Sequence, residues 1–293
     1  MKDKSTFMNN SIPQIFIAGC GTMGSGIAQV AAVSGCQVQL YDAFEGAAQK
    51  ARERIAHFLD RDVEKGKSTL EQRDATLARL HIAPSLEAVA GANVVIEAIR
   101  ERLDDKQALF GQLDSLTAPE TLLLSNTSMI SISAIAQSTF HAERVAGCHF
   151  FNPVPRMALV EVIRGEKTSQ STFDAVCALM QSWGKTPVPA PDSPGFIVNR
   201  ALLMLLNEAA FLVQEGNAPV HVDEAMQLGC NFPMGPLALA DLIGVDVVLD
   251  CQTALWEQLG HAAKYEPCPL LQEMVQGGKL GRKSGAGFYD YDN

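Results

Sequence analysis

Two kinds of apolar pattern alternate over the first two-thirds of the chain, and only one of them continues beyond. Short runs of aliphatic and β-branched residues fall at positions 14–18, 37–41, 94–97, 122–125, 145–148 and 159–163. Several of them, such as Val94-Val95-Ile96 and Leu122-Leu123-Leu124, are continuously apolar, as expected of strands covered by helices on both faces of a parallel sheet. Amphipathic stretches separate them, so the pattern predicts a doubly wound α/β layer. Between the second and third predicted strands, a segment rich in Arg, Glu, Asp and Lys runs from residue 45 to about 80. It predicts a helical hairpin standing off the sheet.

The pattern changes at residues 187–195, which hold four prolines and a glycine. Such a stretch ends one architecture and starts another. The expected division is an α/β domain over 12–190 and an all-helical domain over 191–293, and 293 residues suit two cores better than one. The most apolar stretch, 197–213, is interrupted by Asn199, Arg200, Asn207 and Glu208 on roughly one side of a helix. That describes a buried helix with a polar edge; a membrane span needs about 20 apolar residues. Residues 1–11 are polar and carry neither an apolar core nor a cleavage-site pattern, so no secretory signal is expected.

A formal net charge of −10 argues against non-specific nucleic-acid binding, which rests on basic surfaces. A polyanionic substrate would have to meet a local basic cluster. The seven cysteines show no CxxC spacing and are odd in number. They read as small core residues in a reducing, cytoplasmic compartment, with no disulfide framework and no metal site.

The first predicted strand runs into Gly19-Cys20-Gly21-Thr22-Met23-Gly24, and a helix begins at about Met23. This is GxGxxG in its proper context. Gly19 permits the tight turn, Gly21 lets the backbone approach a pyrophosphate, and Gly24 lets helix pack on strand. The amides at the helix start, Thr22 and Met23 among them, then face the phosphates. Asp42 closes the second strand 18 residues after Gly24, where a carboxylate grips an adenosine ribose. Opposite a 2′-phosphate it would be repelled, which predicts NAD over NADP.

Polar residues gather where later strands end. Glu101 and Lys106 follow the third predicted strand, Ser125-Asn126-Thr127-Ser128 ends the fourth, and His149 ends the fifth. A histidine with near-neutral basicity can take a hydroxyl proton while a hydride leaves the same carbon. Twelve residues on, Glu161 interrupts an apolar strand, and a buried carboxylate needs a partner. His149 is one candidate; a glutamate pointing to solvent from an edge strand is the other.

With these residues in view the chain resembles the 3-hydroxyacyl-CoA dehydrogenase family, most nearly its bacterial branch acting on 3-hydroxybutyryl-CoA. The matching stretches are GCGTMGSGIAQ from Gly19, VIEAI from Val95, SNTS from Ser125, HFFNPVP from His149, LVEVIRG from Leu159, PGFIVNR from Pro194, PMGPLALADLIG from Pro233 and GRKSGAGFYDY from Gly281. The resemblance implies a Rossmann-type domain with a hairpin insertion, an all-α C-terminal domain, NAD as cofactor, an acyl-CoA substrate and a homodimer. It implies that His149 is the general base, that Glu161 orients it, and that Ser128 and Asn199 contact the reacting oxygen. Glu101 and Lys106 then lie near the nicotinamide ribose, Asn126 and Ser128 near the cofactor, Asn152 in the substrate-facing loop, and Arg61 and Lys65 near the CoA nucleotide. Arg156, Ala158, Met129 and Phe232 depart from the family's commoner residues and leave the acyl preference open. Two other functions stay open at this point: a dehydrogenase of free hydroxy or sugar acids on the same fold, and a non-catalytic NAD-binding protein.

Overall fold

A computed structural model of the chain describes residues 12–291, so the polar segment 1–11 lies outside the described range. The chain forms two compact units, the first ending at Phe196 and the second beginning at Ile197.

The first unit is built on one sheet of eight strands: β1 (Gln14–Ala18), β2 (Gln37–Tyr41), β3 (Leu80–Ile82), β4 (Val94–Glu97), β5 (Leu122–Ser125), β6 (Val145–Phe150), β7 (Leu159–Arg164) and β8 (Thr186–Pro191). Their order across the sheet is β3-β2-β1-β4-β5-β6-β7-β8. The winding reverses beside β1, which opens a crevice at the carboxyl ends of β1 and β4. Alternate residues of each strand feed opposite cores. Ile15, Ile17, Val94 and Ile96 pack under α1 (Thr22–Val33) and α2 (Ala47–Glu64), with Val176 and Met180 of α6 (Gln170–Ser182) in the same cluster. Phe16, Ala18 and Val95 pack against Phe110 and Leu113 of α4 (Leu103–Leu116) and Ile132 and Ile135 of α5 (Ile132–Ala136).

The sheet departs from the sequence expectation in three ways. First, β7 runs antiparallel to β6, so the sheet is not parallel throughout. Only eight residues join them, 151–158, whereas a parallel crossover needs a dozen or more. Second, β3 and β8 were not expected. β3 is three residues long with only Leu80 buried. β8 is the proline-rich segment itself, and the expected break at about 190 falls inside it. The Thr186 N–H donates inward to the Ala158 carbonyl, so by the two-residue period Val188 and Ala190 also face β7. Pro187, Pro189 and Pro191 then turn their missing donors away from the sheet, which is how an edge strand tolerates proline. Third, the hairpin of α2 and α3 (Leu70–Ala78) does not stand clear. Ala51, Ile55 and Leu59 of α2 share the core that α1 occupies. Its tip turns at Gly66 in left-handed backbone (φ 67°), and Thr69 with Gln72 forms a capping box for α3.

The second unit is all-helical: α7 (Val198–Gln214), α8 (Pro219–Cys230), α9 (Pro236–Ile243), α10 (Val245–Gln258) and α11 (Pro269–Gln276). Part of the polar edge of α7 points inward. Asn207 donates to the Glu266 carbonyl (2.9 Å) and accepts from the Cys268 amide (2.8 Å), and Arg200 donates to the Tyr265 hydroxyl (2.7 Å). Among the described residues no helix is long and apolar enough to cross a membrane. Two buried carboxylates close this unit. Asp223 accepts from the Leu237 and Ala238 amides and the Tyr289 hydroxyl. Asp241 accepts from the Phe288 and Tyr289 amides and the Tyr291 hydroxyl.

Candidate active site

The loop after β1 holds its three glycines for three different reasons. Gly19 has a left-handed φ of 101°, and a Cβ there would meet the Ala98 carbonyl oxygen at 2.5 Å. The loop thus packs directly on the segment leaving β4. A Cβ on Gly24 would strike the Gly19 carbonyl oxygen at 1.8 Å, so its absence lets α1 sit on the strand. A Cβ on Gly21 would meet nothing within 4 Å. No packing within the protein calls for glycine there, and the open side leaves room for a ligand to approach the backbone. α1 also begins without a capping side chain, which leaves the amides of its first turn, including Thr22 and Met23, to an anion. These features fit a dinucleotide pyrophosphate.

Asp42 is tied to the same loop. Its Oδ2 accepts from the Cys20 amide (2.7 Å) and its Oδ1 from the Phe44 amide (3.0 Å). Each oxygen keeps a lone pair for a ribose hydroxyl. Arg54 was not anticipated. From α2 it donates to the Cys20 carbonyl (2.9 Å) and the Ser25 hydroxyl (2.7 Å), stapling the hairpin to the loop.

Across the crevice, a buried polar network joins β4 to β5. Glu97 is fully buried; its Oε1 lies 2.5 Å from the Lys106 ammonium and its Oε2 accepts from the Ser125 hydroxyl at 2.6 Å. Lys106 also lies 3.1 Å from Glu101 Oε2. Burial pushes the Glu97 carboxyl above the usual range, against the pull of Lys106, Ser125 and the Ile99 amide. Burial acts the same way on Glu101, but Lys106 and the donors from Thr127 and Ser128 outweigh it and hold that carboxyl low. The Lys106 side chain is only 1% exposed, while that of Glu101 is 39% exposed. Glu97 went unremarked in the sequence, although a charged residue ending Val-Val-Ile is the same signal that marked Glu161.

His149 and Glu161 come together through the antiparallel pairing of β6 and β7, in which they are direct cross-strand partners. His149 Nδ1 lies 2.7 Å from Glu161 Oε2, and both side chains are buried. β8 covers the far side of β7, so Glu161 does not point to solvent from an edge. The carboxylate holds the proton on Nδ1 and leaves Nε2 as the acceptor. Phe151 and Phe196 flank the imidazole, with ring centroids at 4.4 and 5.9 Å. Neither was singled out from sequence. Asn126 steadies the same strand by accepting from the Phe150 amide (3.0 Å).

The other expected residues lie elsewhere. Asn152 is exposed and precedes the cis Pro153 in the turn after β6. Arg61 and Lys65 are exposed at the far end of α2, and Asn199 is in the first turn of α7 in the second unit. Arg156 and Ala158 are exposed, while Met129 is buried.

A crevice suited to a dinucleotide and a carboxylate-backed imidazole on the same sheet are equipment that an alcohol-oxidising enzyme can use, and comparison with known proteins agrees. Residues 14–193 match the family model for the 3-hydroxyacyl-CoA dehydrogenase NAD binding domain, and residues 195–291 match that for the 3-hydroxyacyl-CoA dehydrogenase C-terminal domain. The chain is 50% identical to a probable 3-hydroxybutyryl-CoA dehydrogenase of Bacillus subtilis, covering 96% of this chain and 98% of that one. It is 39% identical to human mitochondrial hydroxyacyl-coenzyme A dehydrogenase over 96% and 91% of the two chains. The solved (S)-3-hydroxybutyryl-CoA dehydrogenase of Ralstonia eutropha superposes with a TM-score of 0.94 at 45% identity, covering 97% of this chain and all of that one. The chain belongs to the 3-hydroxyacyl-CoA dehydrogenase family, as an oxidoreductase with NAD as its cofactor.

Proposed function

We propose that this enzyme interconverts a short-chain 3-hydroxyacyl-CoA, 3-hydroxybutyryl-CoA above all, and its 3-oxoacyl-CoA, with His149 as general base and acid. The observation that carries the reading is the 2.7 Å contact between His149 Nδ1 and Glu161 Oε2. It leaves Nε2 to take the 3-hydroxyl proton in oxidation and return it to the developing alkoxide in reduction. Glu161 orients the ring and stabilises the imidazolium that forms. NAD, when bound, accepts the hydride that leaves C3. The Ser128 hydroxyl, 3.3 Å from Glu101 Oε1, turns its one proton from that carboxylate to the reacting oxygen when substrate binds. Asn199 is assigned to substrate on its sequence motif. Gly19, Gly21, Gly24 and Asp42 hold the dinucleotide, with Glu101 and Asn126 ordering its nicotinamide end; Lys106, being buried, acts through Glu101. Arg61 and Lys65, with Asn152, face the CoA portion of the substrate. The short-chain preference is supported by the relatives named for 3-hydroxybutyryl-CoA at 44–50% identity.

We also propose a cytoplasmic homodimer assembled through the second unit. Support comes from large apolar side chains left exposed there, Leu228 (86%), Leu242, Val220 and Val247 among them.

The test follows NADH absorbance with a ladder of 3-oxoacyl-CoA chain lengths and with free 3-oxo acids. Acetoacetyl-CoA is expected to turn over fastest. Equal rates with free acids would move the reading to a hydroxy-acid dehydrogenase, and NADH binding without turnover would leave a non-catalytic binding protein. His149→Ala should lower kcat by about 10²–10⁴-fold while NADH still binds; unchanged turnover would remove His149 from the role.

A further inference from the structure

Whatever Glu101 offers the cofactor, one of its oxygens is already taken up by the protein itself. Its Oε1 alone is approached by four donors: the Thr127 hydroxyl (2.5 Å), the Ser128 amide (2.8 Å), the Met129 amide (3.2 Å) and the Ser128 hydroxyl (3.3 Å). All four come from three consecutive residues just beyond β5, whereas Glu101 comes from the loop after β4. Consecutive backbone N–H groups turned inward make a concave anion site. Here the anion is supplied by the protein. Its other oxygen is gripped from inside by Lys106, which Glu97 holds in turn. The chain Glu97–Lys106–Glu101 therefore fixes the carboxylate at both ends, and the carboxylate fixes the loop carrying Ser128.

We propose that Glu101 is a positioning residue: a built-in anion that orders residues 127–129 and so holds Ser128 Oγ where its hydroxyl can turn to the reacting oxygen. The proposal rests on the reading of Ser128 given above. It has a chemical consequence that mere packing would not have. Glu101→Ala leaves four donors and the Lys106 ammonium around a vacated position that was partly open to solvent. Such a pocket should take up a small carboxylate from solution.

The experiment measures Glu101→Ala with and without sodium formate or acetate, with chloride at equal ionic strength as control. We expect kcat to fall by about 10²-fold, the scale of a misaimed reacting group. Formate should restore it saturably, most of the way at high concentration. Formate should also raise the thermal midpoint of the variant and leave that of the wild type unchanged, as ligand linkage requires. Glu101→Gln keeps the volume and serves where the alanine variant fails to fold. It should lose kcat at least tenfold with KM for the acyl-CoA nearly constant, because the lost carboxylate aims a donor and does not hold the substrate. Absence of both rescue and stabilisation in a folded Glu101→Ala, or wild-type kcat in Glu101→Gln, overturns the proposal. A Ser128→Ala variant run alongside separates the two layers: wild-type turnover there overturns the reading of Ser128, and the proposal with it.

Discussion

The glycine-rich turn after β1 and the motif-dense end of the second unit look alike as sequence and differ in what their glycines face. In the second unit, a Cβ on Gly287 would strike Asp241 Oδ1 at 2.0 Å, one on Gly281 the Asp241 carbonyl at 2.3 Å, and one on Gly235 the Asp223 carboxyl at 2.1 Å. Those carboxylates accept hydrogen bonds from the turns the glycines shape. PMGPLALADLIG and GRKSGAGFYDY are accordingly two halves of one internal bracket. In the first unit, Gly21 faces open space, and the helix behind it starts uncapped. One motif is closed by the protein's own side chains; the other keeps an open side. A motif match alone does not tell these apart, but the atoms around the absent Cβ do.

Substitutions can break that contrast or sharpen it. Asp241→Asn should have the largest effect of the set. It sets an amide N–H₂ where an acceptor is needed, and a buried donor without a partner costs about 1–3 kcal/mol. A loss of about 3 kcal/mol in the stability of the second unit is expected in calorimetry, with NADH affinity unchanged. An equal loss of NADH affinity would mean the bracket also serves the ligand.

Next comes a matched pair of glycines. Gly281 has φ 88° and ψ −152°, a region essentially reserved for glycine, where a side chain costs about 1–3 kcal/mol. Gly281→Ala should destabilise by at least that much and leave the cofactor bound normally. Gly21 has φ −67°, which alanine adopts freely, so Gly21→Ala should fold at least as stably as the wild type. Its NADH affinity should nonetheless fall about tenfold, or about 1.4 kcal/mol. Titration by NADH fluorescence checks it; undiminished affinity would show that the open side of Gly21 is not where the pyrophosphate approaches.

The last substitution tests a pH dependence, at a buried ion pair outside both motifs. Asp114 accepts from Arg144 at 2.8 Å and from the Phe140 amide at 2.8 Å. Burial works against its charge, but these donors prevail and hold the carboxyl below its usual range. A depressed folded-state pKa contributes stability above the unfolded value of about 3.9. That contribution is lost as pH falls through the folded value. The stability gap between wild type and Asp114→Asn should be constant near neutrality and shrink below about pH 4.

Much of the fold was legible because burial on both faces writes itself as apolar runs: β1, β2, β4 and β5 fall where those runs do. β8 was hidden by its prolines, which report the edge and not the strand. β3 was hidden by brevity. The direction of β7 could have been read from the short connection before it, and with direction comes the register that sets Glu161 opposite His149. Glu97 carried a legible signal, a charge in an apolar run. Arg54 and Phe196 carried none, since each acts on a loop or ring far off in the chain.

The outward prolines of β8 constrain assembly. A second strand laid along that margin would meet proline carbonyls that can accept but no N–H that can donate, so it could make only a one-sided ladder there. The opposite margin, β3, offers only three residues. Among the described residues, neither margin of the sheet is well suited to pairing with a second copy of the chain.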